Sequence, residues 1–169
     1  MIPIISVVGK SNVGKTTLLE KLLVELKKRG YRVATIKHDI HGFNIDQPGK
    51  DTWRHSQAGA DTVIISSPSR VALISRVEQE KTLDQVAAMA VDVDIVITEG
   101  YKRENKPKIE VFRSGVYDEL LCEPHELIAI ASDLQFDNGL PCFGLDDAVG
   151  LVDLIERLYL KPCLQMRNR

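Results

Sequence analysis

Eight residues near the amino terminus, Gly9-Lys10-Ser11-Asn12-Val13-Gly14-Lys15-Thr16, have the residue types and spacing of a phosphate-binding loop, G-x-x-x-x-G-K-[ST]. The two glycines let the backbone curl until successive N–H groups converge on one anion. Lys15 is placed to reach β- and γ-phosphate oxygens, and the Thr16 hydroxyl to ligate Mg2+. Thr17 leads into a segment whose helix would add the positive end of its dipole. Lys10 reads either as one more phosphate-facing charge or as a solvated side chain.

Carboxylates at strand ends are the next candidates. Glu99 follows the apolar run Asp94-Ile95-Val96-Ile97-Thr98 and should emerge at the sheet edge that holds the P-loop. Asp94 starts that run, roughly 16 Å away at about 3.3 Å per residue, so only Glu99 can approach a metal. A strand-terminal acid serving Mg2+ is the Walker-B role, here with Glu in place of the usual Asp. Asp39, after a second strand, is the other metal-side candidate. His38-Asp39-x-His41 also permits a transition-metal site or, more in keeping with a P-loop, a switch segment ordered by γ-phosphate and Mg2+.

Asp133, at the end of Ile128-Ala129-Ile130-Ala131-Ser132, is placed to accept from N1–H and the exocyclic amine of guanine. The same residue could instead cap the following turn. The basic segment Lys102-Arg103-Glu104-Asn105-Lys106-Pro107-Lys108 is either a second anion site, with Lys102 and Lys108 as its cations, or a solvated loop. Without a glutamine or arginine finger to order water and offset transition-state charge, hydrolysis is expected to be slow.

The positioning elements follow from periodicity. Ile2–Val8 is a β-branched strand, Thr17–Leu26 an amphipathic helix stopped near Gly30, and Tyr31–Lys37 a second strand. His38–Gly49 is a polar loop, Lys50–Ala58 a short helix, and Asp61–Ser66 with Arg70–Ser75 a hairpin across Ser67-Pro68-Ser69. A capping-box helix from Thr82 to about Ala90, the strand before Glu99, and a half-exposed alternating strand Lys108–Arg113 come next. Leu127–Ala131, Cys142–Leu145 and a closing helix after Asp146 to about Leu160 complete the pattern. Alternating strands and helices specify an α/β P-loop NTPase fold. Its sheet is mainly parallel, with helices on both faces and the hairpin added at one edge. Residues 1–160 read as a single nucleotide-binding domain and 161–169 as a polar C-terminal tail.

The bulk numbers agree. The 169 residues suffice for one domain core, and a net charge of −2 gives no electrostatic case for nucleic acid or a membrane surface. Cys122, Cys142 and Cys163 are scattered and read as buried thiols of a reducing compartment. The apolar start lacks the basic region of a signal peptide, and no apolar run reaches the length of a membrane span. The expected location is the cytoplasm.

Taken together, these stretches resemble the MobB family of molybdopterin-guanine dinucleotide biosynthesis accessory proteins. The resemblance rests on Gly9 to Thr17, Lys37-His38-Asp39-x-His41-Gly42-Phe43, and Pro48-Gly49-Lys50-Asp51-Thr52-Trp53-Arg54-His55 with Ala58-Gly59-Ala60. It continues in Glu99-Gly100-Tyr101-Lys102, Pro107-Lys108-Ile109-Glu110-Val111 and Ala131-Ser132-Asp133, with Tyr101 standing where Phe is common. It implies a cytoplasmic homodimer that binds GTP, hydrolyses it weakly at most, and assists MobA, the guanylyltransferase that joins GMP to molybdopterin. Molybdopterin or that partner would then meet the second site, for which His38, His41, Lys102 and Lys108 are the candidates. A P-loop small-molecule kinase and a partition-type ATPase switch are the alternatives. The kinase would need a positioned base, for which Asp39 is the one candidate, and Lys10 is displaced from the signature lysine of the ATPases.

Overall fold

Runs of β-branched and aliphatic residues bury best in the middle of a parallel sheet, and five such runs, joined by a short sixth strand, make the core of this protein. The structure, a computed structural model, describes residues 2–162. The strands are β1 (Ile4–Val8), β2 (Val33–Lys37), β3 (Thr62–Ser66), β4 (Val71–Ser75), β5 (Ile95–Glu99), β6 (Lys108–Phe112), β7 (Leu127–Ser132) and β8 (Cys142–Phe143). The helices are α1 (Lys15–Lys28), α2 (Asp51–Gln57), α3 (Leu83–Ala87) and α4 (Ala148–Ile155), the last continued by a π-helical turn, Glu156–Leu160. Within the range read as one domain, packing distinguishes two compact units: residues 1–38 with 83–169, and residues 39–82.

The first unit holds a six-stranded sheet in the order β2-β5-β1-β6-β7-β8, every pairing parallel. Parallel strands share one carboxyl edge, so the residues that follow β1, β5, β6 and β7 emerge together. β1 lies between β5 and β6, with Val7 opposite both Glu99 and Ile109. Helix α1 turns Leu18, Leu19, Leu22 and Leu26 inward and packs on α4, whose Leu151, Val152, Leu154 and Ile155 are also buried. Arg29, just beyond α1, ties the two helices through Glu25 (2.7 Å), Asp153 (2.6 Å) and Glu156 (3.3 Å).

Three expectations need correction. β6 is buried at all five positions rather than half-exposed. Its alternating charges are not solvent-facing, because each is satisfied inside. Lys108, 1% exposed, pairs with Glu126 at 2.6 Å. Glu110, fully buried, lies 3.1 Å from the Tyr117 hydroxyl and accepts from the backbone N–H of Leu121 (2.6 Å) and Cys122 (3.0 Å). Second, the hairpin does not extend the parallel sheet: β3 and β4 pair antiparallel as a separate two-stranded sheet in the second unit. Its strands hydrogen-bond to each other, and most of their side chains are exposed, so no shared face recruits them into the main sheet. Third, β8 is a two-residue, partly exposed edge strand rather than a buried one. Cys122 is buried and Cys142 half-buried, both free thiols. Burial, with Glu110 second, pushes the Cys122 thiol up to about 11, consistent with an inert group. Lys161 and Pro162 continue the terminal helix, while Cys163 and the rest of the tail lie outside the described residues.

Candidate functional site

The loop between β1 and α1 needs glycine for two separate reasons. At Gly9, with φ at +145°, a Cβ would stand 2.5 Å from the Val111 carbonyl oxygen of β6. Only a bare backbone passes that close. Gly14, in the left-handed region at φ +102°, starts α1 without a side-chain cap, and the first turn of the helix holds no acidic residue. The helix amino end is therefore left to whatever anion meets it. Between the glycines, fully buried Val13 anchors the loop, Asn12 turns the chain at φ +65°, and Ser11 is exposed. Lys10, itself exposed, sits over the Tyr117 ring with its ammonium 4.8 Å from the ring centre, a cation–π contact.

Lys15 and Thr16, from the first turn of α1, meet Glu99 from β5. The Thr16 hydroxyl donates to the Glu99 carboxylate, 3.1 Å from each oxygen. The Lys15 ammonium donates to the Lys10 carbonyl at 2.7 Å, closing the loop upon itself. Burial lowers the Lys15 pKa; Glu99 acts against that shift and Lys37 adds to it. Lys37 ends β2 in register with Glu99, its ammonium 3.9 Å from the carboxylate. Sequence reading left Lys37 out of the site, although it occupies the same strand-end position as Glu99. Asp94 lies at the other end of β5, where its carboxylate accepts from the Arg32 N–H at 2.8 Å, as the length of the strand requires.

Mg2+ favours hard oxygen ligands and is commonly held by one or two protein groups, with water and substrate phosphate completing the shell. The Thr16 hydroxyl and the Glu99 carboxylate, hydrogen-bonded to each other, are oxygen donors of that kind. Among the described residues no group of three or more His, Cys, Asp or Glu is placed to hold an ion. His38 stacks on Tyr101 with ring centres 4.5 Å apart, and its N–H donates to the Glu99 carbonyl at 3.1 Å. Tyr101 adopts φ +56°, a left-handed conformation that is costly for an aromatic residue. Asp39 and His41 belong to the second unit, where the Asp39 carboxylate accepts from the His41 N–H at 2.9 Å in an Asx turn.

The proposed second site divides. Lys102 is exposed, shortly after the end of β5, whereas Lys108 opens β6 inside the core. The Lys108 charge is committed to Glu126, whose carboxyl is in turn held below its usual range, first by Lys108 and then by the Glu123 N–H. Lys106 pairs with Asp84 at 2.6 Å. Asp133 emerges after β7 and binds Ser114, accepting from its N–H (2.9 Å) and its hydroxyl (2.7 Å). Those bonds, the hydroxyl first, hold the Asp133 carboxyl below its usual range. Arg113 was missed: directly after β6, its Nε donates to the Val13 carbonyl of the P-loop at 3.3 Å. Its position at the end of an apolar run is the signal that could have revealed it.

Residues 4–133 match the family described as molybdopterin guanine dinucleotide synthesis protein B, MobB. The chain belongs to the MobB family. It is 38% identical over 162 residues to the molybdopterin-guanine dinucleotide biosynthesis adapter protein of Escherichia coli K12, covering 92% of each chain. A counterpart in Haemophilus influenzae is 34% identical, with 92% of this chain and 88% of the relative covered. A crystal structure of molybdopterin-guanine biosynthesis protein B superposes with a TM-score of 0.72 at 32% identity, covering 92% of this chain and 97% of the other. The Bacillus subtilis MobB structure gives 0.72 at 28% identity, covering 94% and 98%. The MobB match starts at β1 and runs through Asp133, so it takes in the P-loop, Glu99, Arg113 and the end of β7. Among the described residues no helix is long and apolar enough to cross a membrane.

Proposed function

We propose that this MobB-family chain is a GTP-binding accessory protein for the attachment of GMP to molybdopterin, working with a MobA-type guanylyltransferase. The observation that carries the nucleotide part is the Thr16–Glu99 hydrogen bond beside Lys15, within a glycine-bounded loop at a helix amino end. In this reading Gly9 to Thr17 cradle the phosphates, Lys15 neutralises the β/γ oxygens, and Thr16 with Glu99 holds Mg2+. The metal would supply charge neutralisation on those same oxygens. Asp133 stands on the nucleoside side, where its Ser114 bonds keep it ionised and oriented as an acceptor for guanine.

The adapter role rests on family membership and on the names carried by the relatives. A homodimer accords with the exposed apolar side chains of the β3–β4 hairpin. This reading assigns Lys102 and the His38–Tyr101 stack to molybdopterin or the transferase.

The deciding experiment is calorimetric titration of the purified protein with GTP and with ATP, each with Mg2+. A clear preference for GTP supports the accessory role and justifies adding the transferase to the cell. A preference for ATP, or binding of neither, overturns it.

A further inference from the structure

Arg113 leaves β6 at the carboxyl edge of the sheet, on the opposite side of β1 from Glu99. Its Nε is tethered to the Val13 carbonyl, and its Nη2 would stand 3.6 Å from a Cβ built on Gly14. The guanidinium therefore lies against the root of α1. The residue is exposed, and its Nη groups donate to no acceptor among the described residues. The next residue, Ser114, is bound through both its N–H and its hydroxyl to Asp133. A single strand end thus links the P-loop to the end of β7.

A nucleotide laid along this edge has a direction. The Thr16–Glu99 pair sits toward β5 and belongs to the β- and γ-phosphates. The α-phosphate, ribose and base must then run the other way, over β6 toward β7. Arg113 and Asp133 are the charged groups at the ends of those two strands. We propose that Arg113 is a nucleotide-binding and specificity residue that grips the nucleoside half of the bound nucleotide. This rests on the P-loop reading above.

The chemistry fits that position. A guanidinium stays charged, presents a flat face for a base, and carries several N–H donors in one plane. Because one donor is already fastened to the loop, less side-chain freedom is lost on binding. The free donors match guanine, whose O6 and N7 both accept; adenine offers N7 beside an amino donor instead. Arg113 also lies on the wrong side of the loop to act on the γ-phosphate, so it does not speed hydrolysis.

The test uses Mg2+ with GTP, ATP and inorganic tripolyphosphate, titrated into wild type, Arg113→Ala, Arg113→Lys and Lys15→Ala. Arg113→Ala should weaken GTP about tenfold or more, ATP less, and tripolyphosphate by under about twofold. Retained tripolyphosphate binding shows that the variant is folded. Arg113→Lys keeps the charge but loses the planar fork, so it should recover little of the GTP affinity; it carries the test alone if the alanine variant does not fold. Unchanged GTP affinity, or equal losses for GTP and tripolyphosphate, overturns the proposal. Failure of the P-loop reading looks different: wild type would bind no tripolyphosphate, or Lys15→Ala would bind all three ligands as wild type does.

Discussion

Lys15 carries a conflict that makes it informative. The fold lowers its pKa through burial, yet its role requires a positive charge. A phosphate chain at its ammonium would reverse the shift, because an adjacent anion favours the protonated form. Ligand binding should therefore take up a proton as pH rises through the lowered pKa of the free protein. Affinity for GTP should fall over the same alkaline range. Titrations in buffers of different ionisation enthalpy measure the uptake directly. Lys15→Arg, which stays charged throughout, should abolish this pH dependence, and Lys15→Ala should remove most triphosphate affinity while leaving the circular dichroism spectrum unchanged. A proton uptake that survives Lys15→Arg would assign it to another group. At the same scale, Gly9→Ala would force a methyl against the Val111 carbonyl at a φ that alanine rarely adopts. Lost phosphate binding, measured with tripolyphosphate, is the expected result.

At the scale of elements, β6 is the strand whose sequence misleads. Lys108-Ile109-Glu110-Val111-Phe112 alternates like a strand with one wet face, but it lies between β1 and β7 with both faces covered. Two local devices permit this: the Glu126 partner for Lys108, and a turn that offers two backbone N–H groups and the Tyr117 hydroxyl to Glu110. Nothing in the strand's own pattern announces partners up to 18 residues away. Glu110→Ala should leave the buried Cys122 N–H and the part-buried Leu121 N–H without their acceptor and cost about 2–5 kcal/mol. That corresponds to a fall in Tm of about 4–20 °C for a chain of this size. Lys108→Ala should be severe as well, because it empties a position that is 1% exposed, whereas Lys108→Met paired with Glu126→Leu puts an apolar side chain of similar length there and should recover much of the loss. Thermal melts check all three, with GTP titrations of the double variant expected to match wild type. By contrast, β1, α1, β5 and β7 were legible because one physical demand governed each of them: apolar runs for the strands, helical spacing for α1. The P-loop was legible for the same reason, since anion binding by backbone needs glycine at fixed places. Arg113 and Lys37 were not, because a strand-end cation becomes a site residue only when the sheet order is known.

At the scale of the molecule, the second unit poses a question that the sheet of the first does not. In the β3–β4 hairpin, Ile64 stands opposite Leu73 and Ser66 opposite Val71, so Ile64, Leu73 and Val71 share one face. These three side chains are 59%, 55% and 70% exposed. A hairpin whose outer face met only water would carry polar residues there, and its two edges would be open to pairing. A second copy of the chain supplies the same apolar face and suits the twofold symmetry common to small homodimers. Leu73→Asp and, independently, Ile64→Lys should therefore yield monomers by sedimentation velocity at concentrations where wild type is dimeric. Each replaces an exposed side chain, so neither should lower Tm through the core of its own unit. A wild-type protein that sediments as a monomer, or variants that remain dimeric, would show that this face serves a different partner. In that case the transferase becomes the next ligand to titrate against the same two substitutions.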